Sequence, residues 1–92
     1  MVTAFLIIVC APGAISRLGQ ALADTAGVTE VYTTTGSADF IAVVRVADLD
    51  ELATLVTQHI ANLPGIVRTD THMAIRSYGR SDEKAAFDIG VD

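Results

Sequence analysis

Val28-Thr-Glu-Val-Tyr-Thr-Thr-Thr35, Gly36-Ser-Ala-Asp39 and Phe40-Ile-Ala-Val-Val-Arg-Val46 follow one another without a gap. The first run is β-branched and aromatic, a composition that suits a pleated surface. The last run is apolar at almost every position, as in a strand covered on both faces. The short cluster between them is rich in turn residues. Two strands joined by so short a loop read as a β-hairpin.

Upstream, Thr3–Ala11 is a second strand that is apolar on both alternating faces. Pro12-Gly13 breaks it. Ile15, Leu18, Leu22 and Ala26 then recur at helical spacing and form one stripe, with Arg17, Gln20 and Asp24 off it. Gly27 is suited to end that helix in a left-handed conformation. Downstream, Asp48-Leu-Asp-Glu51 has the pattern of a capping box, with Asp48 as the cap and Glu51 able to reach back. Leu49, Leu52, Val56, Ile60 and Leu63 predict a helix running to about Leu63, where Pro64-Gly65 stops it. Ile66–Tyr78 predicts a last strand, with Thr69, Thr71, Met73, Ile75 and Ser77 on one face.

The order is β-α-β-β-α-β. It predicts an α+β, ferredoxin-like fold: a four-stranded antiparallel sheet with both helices on one face. We expect this domain to span residues 1–78. Residues 79–92 lack a period and carry Asp82, Glu83, Asp88 and Asp92. They predict a mobile acidic C-terminal tail, onto which Phe87 and Ile89 bring some apolar surface.

The chain has 92 residues, enough for one domain. Hydrophobic residues make up 51% and seven glycines come besides. Ordinary soluble domains reach roughly 45–50% with glycine included. A domain this small buries only about two-thirds of its unfolded surface. The surplus lies in the first and third strands, on the sheet face the helices do not reach. This predicts a homodimer made by packing those faces together.

Six Lys and Arg against 11 Asp and Glu give a net charge of −5. The cations are scattered, so no direct nucleic-acid binding is expected. The longest apolar run is far short of the roughly 20 residues of a membrane helix, and it lacks the flanks of a signal peptide. No membrane contact is expected, and the cytoplasm is the expected compartment. Cys10 is the single cysteine. It reads as a buried thiol, not as part of a disulfide framework. His59, His72 and Cys10 do not form a metal-ligand spacing, so no metal or cofactor is expected. His59 reads as a partly buried or interface residue. Arg45 and Arg76 read as sheet-edge or interface charges.

Several words of this sequence, in this order, resemble the effector-binding (RAM) domain of the Lrp/AsnC transcription regulators. They are the opening Met-Val-Thr-Ala-Phe-Leu-Ile-Ile-Val followed by Pro12-Gly13, the hairpin Gly27–Asp39, and Leu63-Pro-Gly-Ile-Val-Arg-Thr-Asp-Thr71. The resemblance covers about residues 2–78. Met1 leads straight into the first strand, so the resemblance is to the stand-alone form lacking the helix-turn-helix domain. It implies a homodimer through the sheets, a higher assembly such as an octamer made of four dimers, and an amino-acid ligand at the contact between dimers. It also implies mixed assembly with full-length Lrp/AsnC regulators. Carried onto this chain, the ligand-binding positions are Thr35, Gly36, Ser37, Ala38 and Asp39, with Thr69 and Thr71 from the last strand.

The chemistry of those residues is compatible with that role. A carboxylate such as Asp39 can accept hydrogen bonds from an ammonium group. Loop amides at Gly36 can receive a carboxylate, and threonine hydroxyls both donate and accept. Asp39 has an equally simple structural reading, closing a turn in the hairpin loop. Gly36 likewise reads as a turn residue of positive φ. The alternative function is a small dimeric ferredoxin-like enzyme, a cofactor-free monooxygenase or isomerase, with His59 and His72 as its candidate residues. No nucleophile–base pair or phosphate loop supports it, so no catalytic residue is expected. An ACT-like regulatory domain shares the fold but does not account for the Leu-Pro-Gly stretch.

Overall fold

The computed structural model of this chain describes residues 1–80. The expected tail and its docking residues Phe87 and Ile89 lie outside the described residues, apart from Gly79 and Arg80. Strand β1 spans Val2–Cys10 and is followed by a 3-10 turn, Pro12–Ala14. Helix α1 covers Ile15–Ala23, β2 Val28–Thr33, β3 Phe40–Val46 and α2 Leu49–Thr54. A π-helical segment, Leu55–Ile60, continues α2, and β4 runs over Ile66–Met73. The sheet order is β2-β3-β1-β4, and every neighbouring pair is antiparallel. This is the expected ferredoxin-like arrangement.

The two central strands divide their residues cleanly between the faces, because successive side chains of a strand point to opposite sides. Ala4, Leu6, Ile8 and Cys10 of β1, with Phe40, Ala42, Val44 and Val46 of β3, are buried under the helices. Leu18 and Leu22 of α1, and Leu52, Leu55 and Ile60 from the second helix, close that core. On the other face, Phe5 pairs across β1 and β3 with Val43, and Ile7 with Ile41. Phe5 remains 40% exposed there and Tyr32 of β2 53%.

Both helix stripes shift from their expected course. Ile15 and Leu49 stand at helix starts, 39% and 58% exposed. Ala26 lies beyond α1 and is exposed. In the second helix the Ala61 amide bonds the Val56 carbonyl, five residues back. That wider turn rotates the stripe, so Leu55 is buried and Val56 only half-buried. The capping box forms as expected at its core: the Asp48 carboxylate accepts the Glu51 amide at 2.9 Å. Glu51 reaches one residue further back than the usual box, accepting the Ala47 amide at 2.7 Å.

β2 stops at Thr33 instead of Thr35, and β4 stops at Met73 instead of Tyr78. The second difference has a plain cause. The β1–β4 ladder ends at the pair Ala4–Met73, and the Ala74 amide then bonds the Thr3 carbonyl at 2.8 Å. β1 has almost reached its first residue by then, so the pattern of residues 74–78 meets no strand of its own chain.

Candidate functional site

The topology brings the predicted site segments to one end of the sheet. The hairpin loop 34–39 joins β2 to β3 beside the C-terminal end of β1. β4 begins at that same end, on the other side of β1. Ile8 stands between the two segments, paired with Phe40 and with Thr69.

Asp39 is the joint of this region. Its amide bonds the Ile8 carbonyl at 2.9 Å, and its Oδ2 accepts the Cys10 amide at 2.9 Å. The carboxylate thereby extends the β1–β3 ladder past its last backbone pair, so its structural role is wider than a turn within the loop. The loop is closed by two bonds of Thr34. Its amide reaches the Asp39 carbonyl at 3.1 Å, and its hydroxyl donates to the Ala38 carbonyl at 2.9 Å. Gly36, at φ +97°, makes the reversal, and nothing stands within 4 Å of where its Cβ would be. Thr35, Gly36 and Ser37 are exposed, and Ala38 and Asp39 are half-buried.

On the β4 side, Thr69 is half-buried and shares the helix-side face with Ile8, its neighbour across the ladder. Thr71 is paired with Leu6, two residues deeper along the sheet, and is exposed. The hairpin and Thr69 thus gather around the last residues of β1, with Thr71 a step away.

The Pro-Gly segments hold this end together. The Ala11 amide bonds the Gly65 carbonyl at 2.8 Å. Gly65 has φ +97°, and a Cβ on it would lie 2.6 Å from the Ala14 Cβ. The turn before β4 can therefore press against the turn after β1 only with glycine at this position. Cys10, buried here, has its thiol pushed up, first by burial and then by the Asp39 carboxylate, which also bonds it. It stays protonated at neutral pH and is a poor nucleophile.

The opposite end of the sheet holds an open cleft of ≈ 490 Å³ between the α1–β2 loop and the second helix, lined in part by Gly27, Asp48, Asp50, Glu51, Thr54 and His59. None of the predicted ligand positions lines it. Asp48 and Glu51 are engaged in the helix cap there. His59 is exposed on this cleft, not half-buried. In the sequence its acids carry only the pattern of a helix start, and no sequence period marks the cleft.

His72 faces the bare side of the sheet opposite Phe5 and lies 3.1 Å from Asp70. The two histidines of the enzyme reading are thus held on different surfaces. Among the described residues no cluster of His, Cys, Asp and Glu has metal-binding geometry, and no helix is long and apolar enough to cross a membrane. On the bare face Arg45 donates to Thr29 Oγ1 at 3.2 Å and lies 3.9 Å from Glu30. The Tyr32 hydroxyl donates to Glu30 at 2.6 Å, and that carboxylate pushes the phenol pKa up.

The chain is a ferredoxin-like domain with one bare sheet face and polar loops gathered at one end. Comparison with known proteins makes this specific. Residues 3–83 match the model of the Lrp/AsnC ligand binding domain, and the chain belongs to that family. It is similar to the crystal structure of TTHA0845 from Thermus thermophilus, at 44% identity and a TM-score of 0.83, over 87% of this chain and 100% of that one. The fold is shared with AsnC of E. coli at 23% identity and a TM-score of 0.80, over 87% of this chain and 55% of that chain. It is shared too with a transcriptional regulator from Neisseria meningitidis crystallised as an L-Met complex, at 13% identity and a TM-score of 0.78, over 87% and 53% of the two chains. No match was found among curated proteins.

Proposed function

We propose that this protein is an amino-acid-sensing and oligomerising module without catalytic activity or DNA binding of its own, working in the cytoplasm. In this reading two copies pair through their bare sheet faces. The dimers assemble further, up to an octamer, and one amino acid sits at each contact between dimers. Mixed assembly with full-length Lrp/AsnC regulators carries the signal to transcription.

The observation that carries the reading is the convergence of the hairpin loop and the start of β4 around Ile8–Cys10. That convergence offers one carboxylate, exposed loop amides and threonine hydroxyls on a surface open to a second molecule. The L-Met complex of the Neisseria regulator supports an amino acid as the ligand class. A ligand shared between subunits favours assembly, because it stabilises the state that binds it.

The test is a thermal-shift screen of the amino acids, with light scattering on every hit. Ligand at ~100 times its dissociation constant adds about 2.7 kcal/mol. Asp39→Asn keeps an oxygen to accept the Cys10 amide but removes the charge that would hold an ammonium group. It is expected to abolish the ligand-induced shift while lowering the basal melting temperature little. Absence of any shift across the screen would refute the amino-acid reading.

A further inference from the structure

Residues 74–80, Ala-Ile-Arg-Ser-Tyr-Gly-Arg, leave the sheet at the end opposite the candidate site. Their residue pattern continues β4. Their own sheet has almost no strand left to receive them, since only Val2 of β1 lies beyond Thr3, whose carbonyl takes the Ala74 amide. Beyond that bond, Ile75 is 94% exposed and Tyr78 84% exposed. Two large, mainly apolar side chains thus stand almost wholly in water, and covering either would be favourable. A segment whose local preference disagrees with its surroundings marks a place where a further contact completes the structure.

We propose that residues 74–80 form an arm that crosses to a second copy of this chain and packs Tyr78 against that copy's sheet, with Ile75 on the arm's other alternation. This rests on the pairing of bare sheet faces in the proposed function and adds to it an exchanged segment. Reach favours a second copy as the occupant. Extended, the arm spans up to about 23 Å, whereas packed sheets lie only ~10 Å apart. Position favours it too. The arm leaves from β4, an edge strand beside the bare face, so its route continues the surface on which the sheets would meet. Chemistry is the third support. Tyr78 falls on the same alternation as Asp70 and His72, which face the bare side. The bare face offers an aromatic and aliphatic surface, Phe5, Ile7 and Tyr32, with the acid Glu30 within it. The arm brings Arg76 and Arg80 beside its apolar residues.

The chain contains two tyrosines and no tryptophan, so Tyr32→Phe leaves Tyr78 as the sole tyrosine fluorophore. In that full-length variant, acrylamide quenching of Tyr78 is expected to rise on dilution through the dimer dissociation constant, because the monomer exposes the ring. Sedimentation of Ile75→Ser/Tyr78→Ser in the full chain is expected to show dimer affinity weakened about 10- to 100-fold. Its circular dichroism should be unchanged, because neither residue touches the core. Phe5→Ser serves as the control for the faces themselves. If Phe5→Ser dissociates the dimer while the double variant keeps wild-type affinity and Tyr78 stays fully quenchable, the arm is refuted and the sheet-face dimer stands. A wild-type chain that remains monomeric at about 100 µM removes the sheet-face pairing and the arm with it. Protection of Tyr78 that does not change with dilution places the arm on its own chain and also overturns the proposal.

Discussion

The two faces of the sheet are built from the same strands and nearly the same residue types, yet they end in different states. On the helix side, Ala4, Leu6 and Ile8 have no exposed surface. On the bare side, their immediate neighbours Phe5 and Ile7 remain partly in water. Composition does not separate them, since both alternations of β1 are apolar. What separates them is the connection. The crossover through α1 and the crossover through the second helix lie on the same side of the sheet, as the right-handed rule for such units requires. One face is therefore covered by the chain itself, and the other is left bare.

Substitutions on matched positions of β1 break or sharpen this contrast. The largest effect is expected from Leu6→Ala, which opens a cavity in the closed core. It should cost about 3–4 kcal/mol in urea unfolding, whereas Phe5→Ser one residue away should cost the single chain far less and act on association. Equal costs for the two variants would mean that the bare face is already packed in the monomer.

Gly65→Ala comes next. It combines a left-handed backbone with a contact that no Cβ tolerates, and should cost about 2–3 kcal/mol. The loss is expected at the site end of the sheet, so hydrogen exchange should quicken first around Ala11 and Ile66. Uniform quickening along β1 would show that the two turns are not a separate unit.

The smallest effect is a pH dependence from Cys10 on the covered face. Its thiol is pushed up in the folded state, so folding favours the protonated form. The stabilisation is complete below the ordinary thiol pKa, about 8.5, and is lost as pH rises through and beyond that value. Between pH 7 and 10 the wild-type denaturation midpoint should therefore fall more than that of Cys10→Ala. Identical slopes would assign the fall to other groups.

Much of this was legible in the chain. The hairpin at Gly36–Asp39 and the Asp48 cap are local devices, and each appears where its residues predict. The same is true of the positive φ of Gly27, whereas the second helix ends at Ile60, short of Pro64-Gly65. The candidate site was legible only in part. The sequence marks Asp39 as a loop carboxylate, but its bond to Cys10 joins residues 29 apart in the chain. No local pattern carries that information. The π segment was illegible for a similar reason, because Leu55 and Val56 are both good core residues and only packing on β3 chooses between them. The alternation of Ile66–Tyr78 outruns β4, which ends at Met73, because alternation reports a residue's preference for a strand and is silent about whether a neighbouring strand exists.

The sequence by itself determined the element order, the turns, the caps and the excess of apolar surface, since these depend on residues close together along the chain. The tertiary structure alone decided which apolar face is closed, that Asp39 fastens the end of β1, and that β4 runs out of partners at Met73. Those outcomes depend on which strands become neighbours. That is set by burying one continuous core against two helices, and no segment carries it alone.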